Sequence, residues 1–332
     1  MNILIPNIGR RGYLVKYIKE ISDFKGKVYV SDCDVTASGL YGNNDGHFIL
    51  SKPADDEEKY VSSLLDLCQA MEIKVIIPVI DPEIYILSKY IERFRKSGIL
   101  LLVSSENVLD ICYNKLHMNK FLEENGFPIP KTYDSLERFT DDYEIKNINF
   151  PVIIKPIYGS GSEATYVVKT LDEVKALFKN GMIIQEMLNG QEYGVDVFNN
   201  IDKIPIRCVL KKKVSMRSGE TDKAISVKDK NIQETVIRLA KSLQHFGNLD
   251  CDLILKDGIV YIIDLNPRFG GGYPATHAAG VNLLKLVIDI AEGKETEQDF
   301  EHYRENILVM KEVAIVSTEV GENEESCNNS GT

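Results

Sequence analysis

Along the first hundred positions, apolar and polar residues follow two different spacing patterns. Short, nearly continuous apolar runs predict buried strands, and longer stretches with apolar residues at helical spacing predict amphipathic helices. In chain order the predicted strands are residues 2–6, 27–32, 74–79 and 99–103, and the predicted helices are 12–21, 56–71 and 82–97. This alternation predicts a parallel sheet with helices on both faces.

The second part of the chain begins with a predicted helix at 106–125, which stops at Gly126 before Pro128 and Pro130. Lys256-Asp257-Gly258 marks the turn of a hairpin between two apolar strands. Further predicted elements are helices at 171–179, 229–245 and about 280–291, strands at 182–186 and about 307–316, a strand leading into 210–213, and an irregular loop at 216–223.

The stretch VIIKPIYGSGSEATYVV, residues 152–168, places a lysine at the end of a predicted buried strand. Lys155 is followed by a Gly- and Ser-rich turn at 159–162 and then by a second β-rich run. A buried ammonium is costly unless an anion meets it. Two roles are open: Lys155 snorkels to water, or it contacts nucleotide phosphates while backbone N–H groups of the turn close over them. The turn is not a P-loop, because no Gly-Lys-Ser/Thr follows it.

The predicted hairpin carries acidic residues inside apolar strands. Asp252 lies near the start of its first strand, Asp264 lies at the end of its second, and Asn266 follows two residues later. Strand alternation puts residues 264 and 266 on one face, and cross-strand pairing can bring residue 252 alongside. Two carboxylates and one amide oxygen suit Mg²⁺. The alternative, two acids on a solvent-facing sheet, is disfavoured because Asp264 interrupts the apolar run VYIIDL.

Two other segments give weaker signals. The strand MIIQE is followed by the connector MLNG and then by Glu192, which could together bind a flat heterocycle and a ribose, or form an ordinary surface hairpin. The first turn, NIGRRG, lacks G-x-G-x-x-G and does not predict a dinucleotide site. Arg10 and Arg11 in that turn either meet a carboxylate or phosphate or form a solvated basic turn.

Composition narrows the class of protein. The 332 residues include 50 acidic and 39 basic side chains, for a net charge of -11, which argues against nucleic acid or an anionic membrane as the main partner. The six cysteines are scattered, and the five histidines show no metal-ligand spacing. Without a membrane-length apolar run or a signal-peptide pattern, a cytoplasmic protein is expected.

Together and in this order, the motifs resemble the ATP-grasp superfamily, most closely the stand-alone enzymes similar to one half of the carbamoyl-phosphate synthase large chain. The most specific part is K-P-x-x-G-x-G-S with the later D-L-N-P-R, and the resemblance covers about residues 1–315. It implies an α/β and α+β fold: an N-terminal parallel-sheet pre-ATP-grasp domain followed by the two α+β subdomains of an ATP-grasp fold. The implied boundaries are 1–112 for the first domain, 113–188 for a small lid subdomain with the glycine loop, 189–316 for a large subdomain with the metal site, and 317–332 for a disordered acidic tail.

The resemblance also implies roles for single residues. The nucleotide-binding set consists of Lys115 and Lys155 for the phosphates, Ser160 and Gly161 in the glycine loop, Gln185, Glu186 and Leu188 at an adenine hinge, Glu192 at the ribose, and Arg217 as a further contact. The metal set is Asp252, Asp264 and Asn266, and the catalytic residues are Arg268, beside the transferred phosphate, and Lys155. The family most often has Glu where this chain has Asp264, which leaves the number of bound metal ions open.

The resemblance implies an ATP-dependent ligase that activates a carboxylate as an acyl phosphate and couples it to an amine, releasing ADP and phosphate. The implied cofactors are ATP and Mg²⁺, with Mn²⁺ as a substitute. Small-molecule substrates are expected, without nucleic acid or membrane partners, and a homodimer is compatible with the sequence. The alternative is a non-catalytic nucleotide-sensing or partner-binding module on an ATP-grasp scaffold. The retained lysines and metal-type oxygens favour the enzyme.

Overall fold

A parallel sheet and two antiparallel sheets organise the computed structural model of this protein, which describes residues 1–159, 164–217 and 219–319. The parallel sheet belongs to the N-terminal unit, and the antiparallel sheets follow it in the chain. Within the described ranges, none of the helices has the length and apolar character needed to cross a membrane.

The N-terminal unit alternates strand and helix, as its hydrophobic pattern predicts. Its elements are β1 (Asn2–Ile5), α1 (Tyr13–Lys19), β2 (Val28–Asp32), β3 (His47–Ile49), α2 (Glu57–Ala70), β4 (Ile73–Ile76), α3 (Asp81–Ser88), α4 (Ile91–Lys96) and β5 (Leu100–Leu101), with a 3-10 turn at Ser38–Tyr41. All neighbouring strands are parallel, in the order β3-β2-β1-β4-β5. In such a sheet the order reverses between β1 and β4, and ligands bind beside the carboxyl ends of strands at such a point.

Two details of this unit differ from the prediction. The predicted helix 82–97 is divided into α3 and α4, with a turn at Lys89 and Tyr90 between them. Strand β3 was not predicted, because its three residues are only partly buried and carry no long apolar run.

The predicted helix 106–125 is likewise two helices, α5 (Glu106–Tyr113) and α6 (Lys115–Glu124). Asn114 between them has an extended backbone, and its side chain accepts hydrogen bonds from the backbone N–H groups of Leu116 and His117. Asparagine is a favoured N-cap residue, so Asn114 ends one helix and starts the next. The break places Lys115 in the first turn of α6.

The small antiparallel sheet follows α6. Its elements are β6 (Thr132–Tyr133), α7 (Leu136–Glu144), β7 (Val152–Pro156), β8 (Tyr166–Val168), α8 (Leu171–Leu177) and β9 (Met182–Glu186). The strand order is β6-β9-β7-β8, and Val152, Ile154, Val168 and Ile184 form the core beneath α7 and α8 with Phe139. Helix α8 starts with a capping box between Thr170 and Glu173.

The large antiparallel sheet completes the fold. Its elements are β10 (Gln191–Asn199), β11 (Pro205–Arg217), β12 (Glu220–Val227), α9 (Lys230–Leu243), β13 (Gly247–Lys256), β14 (Ile259–Asn266), α10 (Tyr273–Ala278), α11 (Leu283–Ala291) and β15 (Leu308–Met310). The strand order is β14-β13-β10-β11-β12-β15. The predicted hairpin is β13 and β14, and the predicted strand 307–316 is ordered as a strand only over the three residues of β15.

The prediction of an irregular loop at 216–223 is wrong. Most of this segment belongs to the antiparallel strands β11 and β12, in which Arg217 pairs with Glu220. Gly219 has a φ of 75°, which a tight turn between two strands requires and glycine adopts easily. Residue 218, residues 160–163 of the glycine loop and residues 320–332 of the predicted tail lie outside the described residues.

One apolar core joins the N-terminal unit to the large sheet. Ile3 and Ile5 of β1 share it with Phe198 of β10 and with Phe269 and Tyr273, which follow β14. Burial of this much apolar surface fixes the carboxyl edge of the parallel sheet against the end of the hairpin. The candidate site lies where these parts meet.

Candidate functional site

Lys155 is buried at the end of β7, with 9% of its surface exposed. Burial lowers the pKa of its ammonium to about 8; the Asp264 charge opposes this shift and the Lys115 charge adds to it. No described residue accepts a hydrogen bond from the ammonium. The Lys155 ammonium is therefore held where the protein's own groups do not fully stabilise its charge. This is expected of a residue that binds an anion.

Lys115 approaches the same place from the start of α6. Its ammonium donates a hydrogen bond of 2.6 Å to the carbonyl oxygen of Gly159, the last described residue before the gap at 160–163. Asn114 also donates to the hydroxyl of Tyr158, over 3.1 Å. The start of α6 is thus attached to the segment that leads into the glycine loop, and two lysine ammonium groups lie close together.

The hairpin supplies oxygen atoms beside these lysines. The β13–β14 register sets Asp252 opposite Asp264 and Asp250 opposite Asn266, as strand alternation predicts for residues 252 and 264. Burial raises the pKa of the Asp264 carboxyl, the charges of Lys115 and Lys155 oppose the shift, and the charge of Asp252 adds to it. Asp264 therefore lies within electrostatic reach of both the two lysines and Asp252.

Two lysines of β11 also reach the acidic face, and sequence reasoning missed both. Lys213 forms a 2.7 Å ion pair with Asp252, while Lys211 pairs with buried Asp196 and lies 4.0 Å from Asp250. Burial alone would lower the pKa of the Lys213 ammonium, but the charge and hydrogen bond of Asp252, together with the charges of Asp250 and Glu192, raise it overall. Alternation in LKKK, residues 210–213, was the available signal, since it puts residues 211 and 213 on one strand face.

Asp250 is a further acidic residue that the sequence analysis did not select. Burial raises the pKa of its carboxyl to about 7, against the charge of Lys211. It packs so closely on Gly270 that a Cβ there would lie 1.7 Å from its carboxylate oxygen, so a side chain at residue 270 would displace the Asp250 carboxylate. Asp250 precedes Asp252 by two positions and shares its strand face, which is the signal that could have identified it.

Arg268 lies between the hairpin and the N-terminal unit. Its Nε and Nη2 donate to the two carboxylate oxygens of Asp81, over 2.6 and 3.2 Å, and Nη2 also lies 3.2 Å from Asn266 Oδ1. Burial lowers the pKa of the guanidinium, but the Asp81 charge and hydrogen bonds outweigh it and raise the pKa. Asp81 starts α3, so the N-terminal unit takes part in the site.

Breaking this ion pair should destabilise the protein. Asp81→Asn leaves the 10% exposed Arg268 side chain without its anion, and removing one partner of a buried pair typically costs about 3 kcal/mol. Thermal unfolding is the measurement. Glu92→Gln is the control, because it removes the exposed Arg95 ion pair and should barely change the melting temperature. Equal melting temperatures for both variants would contradict a structural role of the Asp81 charge.

The predicted adenine hinge spans the end of β9 and the connector after it. Gln185 is buried and donates to Thr132 Oγ1 over 2.9 Å, and Glu186 accepts from the backbone N–H of Lys131 over 3.3 Å. Leu188 is buried in the connector, and Glu192 is exposed at the start of β10, within electrostatic reach of Lys213. Glu192 pairs with Ile254, two positions from Asp252 on β13, so Glu192 and Asp252 share one face of the large sheet.

One predicted nucleotide contact, Arg217, is not brought into this group. Arg217 pairs with Asp222 at 3.3 Å, and its side chain is 61% exposed at the end of β11. No described contact connects Arg217 with the other candidate residues. Ser160 and Gly161 lie outside the described residues.

A cleft of about 370 Å³ opens at the junction of the three parts. Asp81, Gly159, Asp264 and Asn266 provide its polar side, and apolar and aromatic side chains of α3 and α5 provide the rest. Asp264, Asn266 and Asp81 therefore border one space, Lys115 is hydrogen-bonded to its lining residue Gly159, and the charges of Lys115 and Lys155 act on Asp264.

The residues present fit a magnesium ion. Among the described residues no three His, Cys, Asp or Glu side chains form a complete metal site. Asp252, Asp264 and Asn266 offer two carboxylates and one amide, and Mg²⁺ usually takes its remaining ligands from phosphates and water. The pKa of Asp264 is raised, which indicates that the protein's own groups do not fully stabilise the negative charge of this carboxylate.

Comparison with known families identifies both parts of the chain. Residues 112–272 match the ATP-grasp domain, and residues 3–102 match the PylC-like N-terminal domain. The chain therefore contains an ATP-grasp domain, and the predicted resemblance to the ATP-grasp superfamily is confirmed.

Two curated relatives show how far the sequence similarity extends. The carbamoyl phosphate synthase large chain of Thermoanaerobacter sp. (strain X514) is 24% identical over 225 residues, which are 62% of this chain and 21% of that protein. The carbamoyl-phosphate synthase of Methanobrevibacter smithii is 25% identical over 250 residues, or 70% of this chain and 67% of that protein. The chain thus spans about a fifth of the large-chain relative.

Two solved structures show the fold. Biotin carboxylase from Campylobacter jejuni, in a β-γ-ATP complex, has a TM-score of 0.69 at 20% identity over 92% of this chain and 74% of that one. L-amino acid ligase from Bacillus licheniformis has a TM-score of 0.66 at 18% identity over 88% and 74%. These similarities confirm the predicted fold class.

Proposed function

We propose that this protein is an ATP-dependent ligase that joins a carboxylate to an amine through an acyl phosphate. The observation that carries the proposal is that Asp264 and Asn266 line the cleft while the Lys115 and Lys155 ammonium groups lie within electrostatic reach of Asp264. The pKa of the Lys155 ammonium is lowered to about 8, and the pKa of the neighbouring Asp264 carboxyl is raised. Perturbed pKa values of this kind cluster at functional sites, and a bound phosphate and metal ion would stabilise the two charges. Similarity to proteins named carbamoyl phosphate synthase and L-amino acid ligase supports a ligase.

The residues would act mainly by holding charges in place. Lys115 and Lys155 would bind the ATP phosphates, and Asp252, Asp264 and Asn266 would hold Mg²⁺. When bound, Mg²⁺ neutralises phosphate charge during transfer. Arg268, held by Asp81, would stabilise the equatorial oxygens of the γ-phosphate.

The reaction would proceed in two displacements. A carboxylate oxygen attacks the γ-phosphorus, and the bond to ADP breaks. The amine nitrogen then attacks the acyl carbon, the acyl phosphate C–O bond breaks, and inorganic phosphate leaves with the oxygen that came from the carboxylate. The chain needs no nucleophile for these steps, since positioning and charge neutralisation supply most of the acceleration.

The remaining predicted assignments are kept as parts of this proposal. Gln185, Glu186 and Leu188 would contact the adenine, Glu192 the ribose, and Ser160 and Gly161 the phosphates. Arg217 is the weakest member, since its described ion pair is with Asp222. We also propose that the chain divides after residues 112 and 188 into an N-terminal domain, a lid subdomain and a large subdomain. The protein would be cytoplasmic and act on small molecules, and a homodimer is a compatible assembly.

An assay of ADP release tests the function. Pooled carboxylic acids and amines, including the twenty L-amino acids, would be supplied with Mg²⁺ and ATP, and products would be identified by mass spectrometry. We expect ADP release that requires a carboxylate and a condensed product that requires the amine as well. ATP binding without any substrate-dependent ADP release would favour a nucleotide-sensing module instead.

Nucleotide binding should depend on divalent metal. The triphosphate would otherwise face Asp252 and Asp264 without a cation between them, so we expect at least about tenfold tighter ATP binding with Mg²⁺ than without it. Calorimetric titration in both conditions measures the difference. Equal affinity in the two titrations would remove these residues from a metal site.

A further inference from the structure

Arg11, in the loop after β1, and Tyr13, the first residue of α1, each carry a buried hydrogen-bond donor that has no described partner. The Nε of Arg11 and the hydroxyl of Tyr13 are both hidden from solvent, and no described residue forms a hydrogen bond with either. A buried donor that has lost its water without gaining an acceptor is unfavourable, and native proteins keep few of them. Two such donors within three residues therefore point to an acceptor that comes from outside the chain.

The Tyr13 hydroxyl is linked to the proposed reaction centre through Arg268. Burial raises the pKa of the Tyr13 hydroxyl, the charges of Arg11 and Arg268 oppose the shift, and the charge of Glu220 adds to it. The hydroxyl is therefore within electrostatic reach of all three charged groups. Arg268 in turn donates hydrogen bonds to Asp81 and Asn266, and both of these residues line the cleft.

The surroundings of the two donors carry an excess of positive charge. Arg11 Nη2 lies 3.7 Å from Glu220 Oε1, a loose ion pair. Glu220 is shared with Lys311 at 3.1 Å, and the charge of Arg10 also acts on it. Arg10, Arg11 and Lys311 are three cations around the single carboxylate of Glu220. Arg268 is not counted among them, because it is already paired with Asp81. A second carboxylate would balance this excess.

The glycines after Arg268 make this arrangement sterically possible. A Cβ on Gly271 would lie 3.0 Å from the Glu220 carboxyl carbon, tighter than an ordinary contact. The absence of a side chain lets Glu220 approach the backbone closely and hold Arg11 from one side. Arg11 Nε has no described acceptor in this arrangement.

We propose that Arg11 and Tyr13 bind the carboxylate of the substrate that is to be phosphorylated, with Arg11 Nε and the Tyr13 hydroxyl as donors to its oxygens. A carboxylate has lone pairs for both donors and accepts strong hydrogen bonds from a guanidinium. The inference rests on the proposed ligase function, and it assigns the recognition of the carboxylate to the N-terminal unit.

Tyr13→Phe and Arg11→Gln test the inference, with Tyr29→Phe as control, because Tyr29 lies on β2 with its ring against Phe48. Melting temperature and ADP release would be measured with Mg²⁺ and nucleotide, and with bicarbonate, acetate, succinate and each L-amino acid added singly. We expect at least one carboxylate to stimulate the wild type. Its KM should rise about tenfold in Tyr13→Phe and about tenfold to a hundredfold in Arg11→Gln, with unchanged nucleotide affinity.

Stability separates this role from a structural one. The Tyr13 hydroxyl has no described partner, so Tyr13→Phe should melt at or above the wild-type temperature. A lower melting temperature for this variant, or a wild-type KM in both variants, would overturn the inference. A wild type that binds nucleotide but responds to none of these carboxylates would overturn it as well. A wild type that does not bind nucleotide would instead overturn the proposed function.

Discussion

Replacing Lys155 with alanine is expected to lower ATP turnover about 10²–10³-fold while the fold persists. The lysine lies near the end of β7, whose Val152 and Ile154 belong to the core of the small sheet, and its ammonium is buried within electrostatic reach of Lys115 and Asp264. If it binds phosphate, its removal leaves transition-state charge without a fixed cation. Steady-state ADP release and circular dichroism of the variant are the measurements.

Lys120→Ala is the matched control. Lys120 belongs to α6 like Lys115, but its side chain is 75% exposed and pairs loosely with Glu124 at 3.9 Å. It should turn over ATP at the wild-type rate. A Lys155→Ala protein that unfolds would show that the residue is structural, and one with normal turnover would show that it is incidental.

The same lysine predicts a pH dependence of stability in the absence of nucleotide. Its folded-state pKa of about 8 lies below the ordinary value of 10.5, so the unfolded chain binds more protons between these pH values. The contribution of this group to stability therefore rises as pH increases from about 8 to 10.5. Lys155→Ala should lack this contribution in urea unfolding series at these pH values. An identical pH profile for both proteins would contradict the lowered pKa.

Asp264→Asn should lower turnover about 10²-fold at fixed Mg²⁺, with partial recovery as Mg²⁺ is raised. The change keeps the size of the side chain but removes one ligand charge. Burial and neighbouring acids raise the pKa of Asp264 in spite of Lys115 and Lys155, so the folded state disfavours its charged form. A raised carboxyl pKa means that the charge reduces stability at neutral pH, and the variant should be equally or more stable.

The apparent Mg²⁺ affinity and the melting temperature of Asp264→Asn show whether Asp264 binds the metal. Asp257→Asn, in the turn of the same hairpin, serves as control and should leave the Mg²⁺ requirement unchanged. An unchanged Mg²⁺ requirement in Asp264→Asn, together with a loss of stability, would mean that Asp264 serves a structural hydrogen bond or ion pair.

The parts of the site that could be predicted from sequence are those encoded over a few residues. Lys155 is recognised because a charge follows VII in a buried strand, and the pairing of Asp252 with Asp264 follows from strand alternation around a short turn. The same alternation would have identified Asp250 and Lys213. Asparagine as a helix N-cap would likewise have identified the break at Asn114.

The other parts depend on contacts between distant segments. Arg268 meets Asp81 across 187 positions of the chain, and periodicity carries no information about such a pair. The position of the Arg11 and Tyr13 donors beside Arg268 depends on how the N-terminal sheet docks on the large sheet through their shared core. Sequence analysis placed Arg217 among the nucleotide contacts, whereas its hairpin position gives it Asp222 as a partner.

Transfer of a labelled oxygen tests the central claim most directly. The protein would be incubated with Mg²⁺, ATP, pooled amines and carboxylic acids carrying ¹⁸O in their carboxyl groups, and the released phosphate would be examined by mass spectrometry. Formation and displacement of an acyl phosphate predicts one ¹⁸O atom in each phosphate released by ligation. ADP release accompanied only by unlabelled phosphate would mean that water, and not a carboxylate, attacks ATP, and would contradict the account.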